Sequence, residues 1–315
     1  MKKRKLGHSE LVTAPLIFGG NVFGWTIDEK TSFQLLDAFS SAGFNMIDTA
    51  DSYSRWVTGH KGGESETIIG NWIKQRGNRD KIIIATKVGS DMGEGKKLSR
   101  EYILRRVEDS LERLQTNYID LYQSHFDDLS TPVEETIDTY SGLIKQGKVR
   151  VIGASNISVE RLIQSEEYSK AKKLPRYETL QPHYNLYDRE HFEGNYMQYC
   201  IANGISVIPY FPLASGFLSG KYRTESDLSK STRGHGIKKY LSERGHTILD
   251  ALEEVAVYNN TKPATVALAW LMTCLTVAAP IVSATSLEQL KDLTNAVNLE
   301  LDRDTLELLD KASEY

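Results

Sequence analysis

Four polar residues, Asp48, Tyr53, Lys87 and His125, each follow a short apolar run in this 315-residue chain. The runs FNMID, KIIIATK and DLYQSH read as buried strands that end in reactive groups. A carboxylate, a phenol, an ammonium and an imidazole delivered to one rim would make a proton-transfer site. The phenol is the group with a task. Its ordinary pKa is about 10, so a neighbouring cation must lower it before it can trade protons near neutrality. A lysine at the end of a strand as apolar as IIIAT is costly unless paired, and Asp48 is the obvious partner. The pair would set the ammonium beside Tyr53, and His125 would hydrogen-bond the oxygen that receives the proton.

That division of roles suits carbonyl reduction, in which hydride reaches carbon and a proton must reach oxygen. Plainer readings stay open at this point. Asp48 and Lys87 could be a purely structural ion pair, and Tyr53 is one of 16 tyrosines. His125 could be a satisfied core histidine or, with Asp127 and Asp128, part of a metal site. The spacing speaks against a metal: there is no HxxxH and no cysteine cluster, and the two carboxylates adjoin on a turn.

The elements that must position these groups alternate along the chain. KRKLGHSELVTA reads as a small hairpin around Gly7 and His8. Strands are expected at 16–20, 44–50, 81–89, 119–126, 148–156, 179–185, 205–213 and 278–285. Between them lie helices: a segment with Phe33, Leu36 and Phe39 at helical spacing, then 63–76, and 99–115 with Ser99 as N-cap. Further helices start at Thr131 with Pro132 at N1, and span 158–171, 190–203 and 263–274. Eight strand-helix units, with strands apolar on both faces, predict an α/β fold, a single (β/α)8 TIM barrel over residues 1–315. The rival is an open doubly wound sheet, but no dinucleotide glycine fingerprint follows the first strand. The stretch from Ala214 to Glu243 breaks the rhythm after strand seven. It is rich in Gly, Ser, Lys and Arg, and a loop this long at a barrel rim is usually functional or disordered.

Composition narrows the function classes. A net charge of -4 gives no support for nucleic acid or an anionic membrane as partner, so a small molecule is expected. MKKRK is followed by LGHSELVTA, which holds no apolar region of secretory length, and no run reaches membrane-spanning length. With only Cys200 and Cys274, a disulfide framework is not expected either, and the reading is cytoplasmic. Oligomeric state is not readable.

The motifs also carry a resemblance. DTADSYS with Asp48 and Tyr53, IATKVG with Lys87, DLYQSHFDD with His125, GKVRVIGASN, LQPHYNLYDRE, PYFPLASGFLSGKY and SLEQL resemble, in order, the successive motifs of the aldo-keto reductase superfamily. The likeness runs from about Leu6 to the C-terminus and is nearest to members with a long cofactor-covering loop. It implies an (α/β)8 barrel that reduces aldehydes and ketones with NADPH, with Asp48, Tyr53, Lys87 and His125 in the four catalytic positions. It also implies a cofactor cleft: Ser155, Asn156 and Gln181 at the nicotinamide carboxamide, Tyr210 stacked on the ring, and Leu213, Ser215 and Lys221 along the pyrophosphate. Gly20, Asn21, Asp48 and Phe211 belong to the same expected cleft, and the 214–243 loop becomes its lid.

The chain departs from the family pattern in two places. Many NADPH-preferring members hold a basic residue in the stretch matching SATSLEQL, and 283–290 contains none. Arg233 in the long loop is the expected substitute, helped by Ser283, Thr285 and Gln289. NADP(H) is expected ahead of NAD(H) or dual use, with Asp292 accepting from the adenine amino group. The second departure is SRWVTGHKGGESE, which inserts residues after Tyr53. Trp25 and Trp56 could wall a substrate pocket with Tyr53 and His125, or simply pack, while Arg55 and His60 could meet a polar substrate. A nicotinamide-binding regulatory subunit, like the potassium-channel β subunits of the superfamily, is the alternative to an enzyme. A sugar-phosphate lyase or isomerase is the third possibility.

Overall fold

In the computed structural model, which describes residues 1–230 and 234–315, the chain opens with the expected hairpin. β1 (Arg4–Lys5) and β2 (Val12–Thr13) pair antiparallel, with Arg4 opposite Thr13. Gly7 turns at a φ of 57°, and a Cβ there would collide with Glu178. The hairpin plugs one end of the main sheet. Leu6 and Leu11 are buried with Ile17, Met46, Ile83 and Leu121, while the Arg4 guanidinium donates to the carbonyls of Met272 and Val277.

Strand and helix then alternate. β3 (Ile17–Gly19), α1 (Glu29–Ser41), β4 (Met46–Asp48), α2 (Glu64–Arg76), β5 (Ile83–Val88), α3 (Arg100–Leu114) and β6 (Ile119–Ser124) come first. α4 (Val133–Lys145), β7 (Val149–Ser155), α5 (Val159–Lys172) and β8 (Tyr177–Gln181) follow. Two short helices, α6 (Glu190–Asn195) and α7 (Met197–Asn203), lead to β9 (Ser206–Val207). α8 (Glu243–Tyr258) and α9 (Pro263–Thr273) lead to β10 (Ile281–Val282), and α10 (Leu287–Asn295) and α11 (Arg303–Ala312) come last. The eight strands from β3 to β10 are parallel, in the order β10-β3-β4-β5-β6-β7-β8-β9. Val207 exchanges backbone hydrogen bonds of 2.8 Å with Thr276 and Ala278, and the Ile281 N–H donates to Pro209, so the two ends of that order meet. The sheet curls into the (β/α)8 barrel that the strand count predicts. No helix among the described residues is long and apolar enough to cross a membrane.

Strand periodicity places the chemistry. Side chains alternate between the barrel interior and the helix layer, so the inward row of β4 reads Met46 then Asp48, that of β5 reads Ala85 then Lys87, and that of β6 reads Leu121 then Gln123. His125 continues the last row just past the strand. The lower members belong to the apolar plug, and the polar members above them are almost wholly buried. A slip of one residue in β5 would send Lys87 into the helix layer.

Several boundaries differ from the sequence reading. Pro132 is the N-cap of α4, with extended backbone, rather than its first helical residue. Ser99 caps α3 by position, but its side chain accepts no capping hydrogen bond. The 190–203 helix breaks at Tyr196. Of ISVIPYFPL only Ser206–Val207 forms continuous strand, and past it Tyr210 pairs with His183 as an isolated bridge, since Pro209 and Pro212 have no N–H to give. The 214–243 segment folds as 3-10 turns at Ala214–Ser219, Glu225–Lys230 and Gly234–Tyr240, fastened by buried Phe217, Leu218, Tyr222, Ile237 and Tyr240.

Candidate active site

Asp48 ends β4, Lys87 stands one residue before the end of β5, His125 follows β6, and Tyr53 hangs from the loop after β4. The structure brings all four together. The Lys87 ammonium donates to Asp48 Oδ2 at 2.6 Å, to the Thr49 carbonyl at 2.8 Å and to the Tyr53 hydroxyl oxygen at 2.8 Å. Its three protons are thereby used. Asp48 Oδ1 accepts from Gln181 Nε2 at 2.9 Å and Gln123 Nε2 at 3.2 Å. A buried ion pair hydrogen-bonded this completely meets the condition under which burial of charge is tolerated. The Tyr53 hydroxyl lies 3.4 Å from Asp48 Oδ2, a long contact that holds the phenol proton weakly. The Tyr53 and His125 rings are 6.0 Å apart at 72°, and His125 Nδ1 is buried with no hydrogen-bond partner among the described residues.

The electrostatics correct one expectation. Burial, with the charge of Asp48 next, pushes the Tyr53 phenol well above its ordinary value. The hydrogen bond from Lys87 favours tyrosinate, but loss of water and the adjacent carboxylate outweigh it. Tyr53 is therefore protonated through the neutral range. Burial also lowers Lys87, against the opposing pull of Asp48, Asp51 and Glu66. His125 falls well below the usual range through burial, then through the charges of Lys87 and Lys96, and its imidazole is neutral.

A cavity of about 950 Å³ opens over these groups. Trp25, Trp56, Tyr53 and His125 line one end, with the two indoles edge to face at 5.4 Å. Ser155, Asn156, Gln181, Tyr210, Phe211, Leu213, Ser215 and Lys221 line its middle. Asn156, at a φ of 49°, donates to the His125 carbonyl at 2.9 Å and accepts from the Tyr210 hydroxyl at 3.0 Å. The Tyr210 ring stacks on His183 at 5.3 Å. His183 in turn meets Asp188 at 3.1 Å, and Asp188 also accepts from Tyr240 at 2.8 Å, which fastens the Gly234–Tyr240 turn to the site. Ala214, Ser215 and Gly216 take φ values of 47°, 58° and 100°, a left-handed run that bends the backbone into a concave surface of the sort that receives anions.

At the far end lie Asn21, Ser283, Thr285, Gln289 and Asp292. Ser283 Oγ sits 2.6 Å from Asn21 Oδ1, and Gln289 Oε1 accepts from the Thr285 N–H at 2.9 Å. Gly20 does not line the cavity. Its carbonyl accepts from Ser65 behind the wall, and Gly19 faces the cleft instead. Arg55 and His60 are not lining residues either, and Arg55 Nη1 holds the Asp91 carbonyl at 2.6 Å. Arg233 lies outside the described residues. Asp127 pairs with Arg161 at 3.1 Å and Asp128 accepts from Leu98, Ser130 and Thr131, so the carboxylates beside His125 are spent on loop structure. Among the described residues no three His, Cys, Asp or Glu side chains gather as a metal site.

The sequence model of the aldo/keto reductase family matches residues 15–314. The chain belongs to that family. An uncharacterized oxidoreductase, YrpG, of Bacillus subtilis (strain 168) is 33% identical over 317 residues, covering 98% of this chain and 95% of its own. The aldo-keto reductase YhdN of the same organism is 37% identical over 240 residues, covering 75% and 68%. Norsolorinic acid reductase of Aspergillus flavus is 30% identical over 318 residues, covering 96% and 78%.

In this aldo/keto reductase the structure also brings to the site residues that sequence reasoning missed. Gln123 shares Asp48 with Gln181, but an amide inside DLYQSH reads only as strand. Phe126 lines the cavity, and its position directly after His125 was the available signal. Lys262 also lines it, with Nζ 2.6 Å from Asp292 Oδ2 and 3.8 Å from Glu288. The family pattern points to 283–290 for a cation, whereas Lys262 arrives from the N-cap of α9.

Proposed function

We propose that this aldo/keto reductase, acting as a single domain in the cytoplasm, reduces aldehydes or ketones to alcohols, or runs the reverse reaction, with Tyr53 as proton donor. The observation that carries the reading is the 2.8 Å hydrogen bond from Lys87 to Tyr53, made inside a buried ion pair at the floor of a large cavity. A bound nicotinamide dinucleotide supplies the hydride. The residues present fit such a group. Half-buried Tyr210 lines the cavity and offers a ring for stacking, and Ser155, Asn156 and Gln181 supply amide and hydroxyl groups for a carboxamide. The left-handed run at 214–216, with Lys221 beside Gly216, suits a pyrophosphate.

The residues divide the proton chemistry among themselves. Neutral His125 presents a ring nitrogen to the carbonyl oxygen and orients it. Tyr53 passes its proton to that oxygen as negative charge develops, and Lys87 supports the phenolate by donating to it. Asp48 fixes the ammonium, with Gln123 and Gln181 fixing Asp48 in turn. NADP(H) is placed ahead of NAD(H) because two ammonium groups, Lys221 and Lys262, line the cleft, although Asp292 and Glu288 offset the second. Titration with NADPH and NADH, followed by turnover on aldehydes and ketones, tests the reading. Tyr53→Phe should retain dinucleotide binding and lose about 10²–10⁴ in turnover. Equal turnover of variant and parent would refute the role given to Tyr53.

A further inference from the structure

We infer that the open end of the cavity takes a flat aromatic aldehyde or ketone bearing a carboxylate on its ring, with Lys96 as the countercharge. This rests on the carbonyl-reductase reading above. The wall there is a run of rings: Trp25 on Trp56 at 5.4 Å, Trp56 by Tyr53 at 6.1 Å, Tyr53 by His125 at 6.0 Å, and His125 stacked on Phe126 at 4.9 Å. Such a wall favours a planar apolar body over a hydroxylated chain. The carbonyl end of the substrate is fixed by Tyr53 and His125, so any further polar group must lie toward the mouth.

Lys96 is exposed and does not itself line the cavity, but its ammonium lies 4.3 Å from the centre of the ring of Phe126, which does. Its charge reaches the reacting centre, since it contributes to the depression of His125. Four nearby cations are compensated: Lys97 and Arg105 share Glu94, Arg106 meets Asp51, and Arg161 meets Asp127, while Arg55 is spent on the Asp91 carbonyl. Lys96 makes no such ion pair among the described residues. The turn that carries it is built rather than loose. Asp91 Oδ1 accepts from the N–H groups of Gly93 and Gly95 at 2.7 and 3.0 Å, and Arg55 from the inserted loop clamps the Asp91 carbonyl. The only carboxylates lining the cavity among the described residues are Asp48, held by Lys87, and Asp292 at the far end. The carboxylates on the Lys96 turn are already engaged, Asp91 by the N–H groups of Gly93 and Gly95 and Glu94 by Lys97 and Arg105.

The test compares kcat/KM for 4-carboxybenzaldehyde and for neutral 4-methylbenzaldehyde, with the full-length protein and whichever dinucleotide binds. The carboxylate should be favoured about fivefold at low ionic strength, as expected of one exposed charge pair, and the gain should lie in KM. Added salt at about 0.5 M should erase it. Lys96→Arg should keep the preference, Lys96→Ala should bring the ratio to about one, and Lys96→Glu should invert it. A parent that treats the two aldehydes alike, or a preference that survives in Lys96→Ala, would overturn the assignment. If the parent binds dinucleotide and turns over neither aldehyde nor any other carbonyl, the reductase reading fails and this inference falls with it.

Discussion

Lys87 Nζ stands 2.8 Å from the Tyr53 hydroxyl oxygen while the same ammonium is held 2.6 Å from Asp48, with both charged groups out of contact with water. Removing either charge strands the other in the barrel. Lys87→Met should therefore lose about 3–5 kcal/mol of unfolding free energy in a urea titration, because Asp48 keeps a buried charge without its partner. Turnover should fall by about 10²–10⁴, since Tyr53 loses the donor that supports its anion. Unchanged stability would refute the buried ion pair as a stability-determining contact.

Tyr53 is raised above its ordinary value by burial and by Asp48, so its proton stays in place as pH rises through neutrality. The reduction rate at saturating dinucleotide should thus show no loss from this group between about pH 6 and 9, and its alkaline limb should lie above about 10. A pH–kcat profile checks this. A limb near pH 8 that vanishes in Tyr53→Phe would show the cation, not burial, in control.

The contrast between those effects marks where sequence stops being informative. Asp48, Lys87 and His125 were readable because each is a reactive residue after an apolar run, and strand alternation then forces them to one rim. Tyr53 was readable as the phenol just past the FNMID run and from the DTADSYS resemblance, but the depth of its burial was not, and burial sets the direction of its pKa. Gln123 hides because an amide in a buried strand gives no local signal. Lys262 hides because its nearness to Asp292 is made by packing α9 against α10. The 214–243 segment read as a loop because 3-10 turns hold its apolar residues at no fixed period, although Phe217 and Tyr240 stack at 5.3 Å.

Lys262 and Asp292 form a pair at the cleft end opposite Tyr53. Both lie on the surface of a site expected to receive the adenosine half of the dinucleotide, so their charges act on any phosphate there. Asp292→Asn should tighten NADPH by about 3–10-fold relative to NADH, and Lys262→Ala should weaken NADPH by a similar factor. Quenching of tryptophan fluorescence gives both dissociation constants. Equal changes for the two dinucleotides would place the pair away from the 2′-phosphate.

Asp51 offers a test of the buried charge behind Lys87. Its Oδ2 meets Arg106 at 3.0 Å, its Oδ1 is buried with no partner among the described residues, and Glu66, tied to Arg113, lies close enough to repel it. Burial, then Glu66, push this carboxyl up to about 7. The unfolded chain releases that proton at about pH 3.9, so between roughly pH 4 and 7 the folded state binds more protons than the unfolded one. Asp51 therefore makes stability fall as pH rises through that window, by up to about 1.4 kcal/mol per pH unit, and contributes no slope above it. Asp51→Asn removes the titration. Measured by urea unfolding at successive pH values, the stability of the variant minus that of the parent should climb from pH 4 to 7 and then level. A flat difference would show that Arg106 keeps Asp51 ionised throughout.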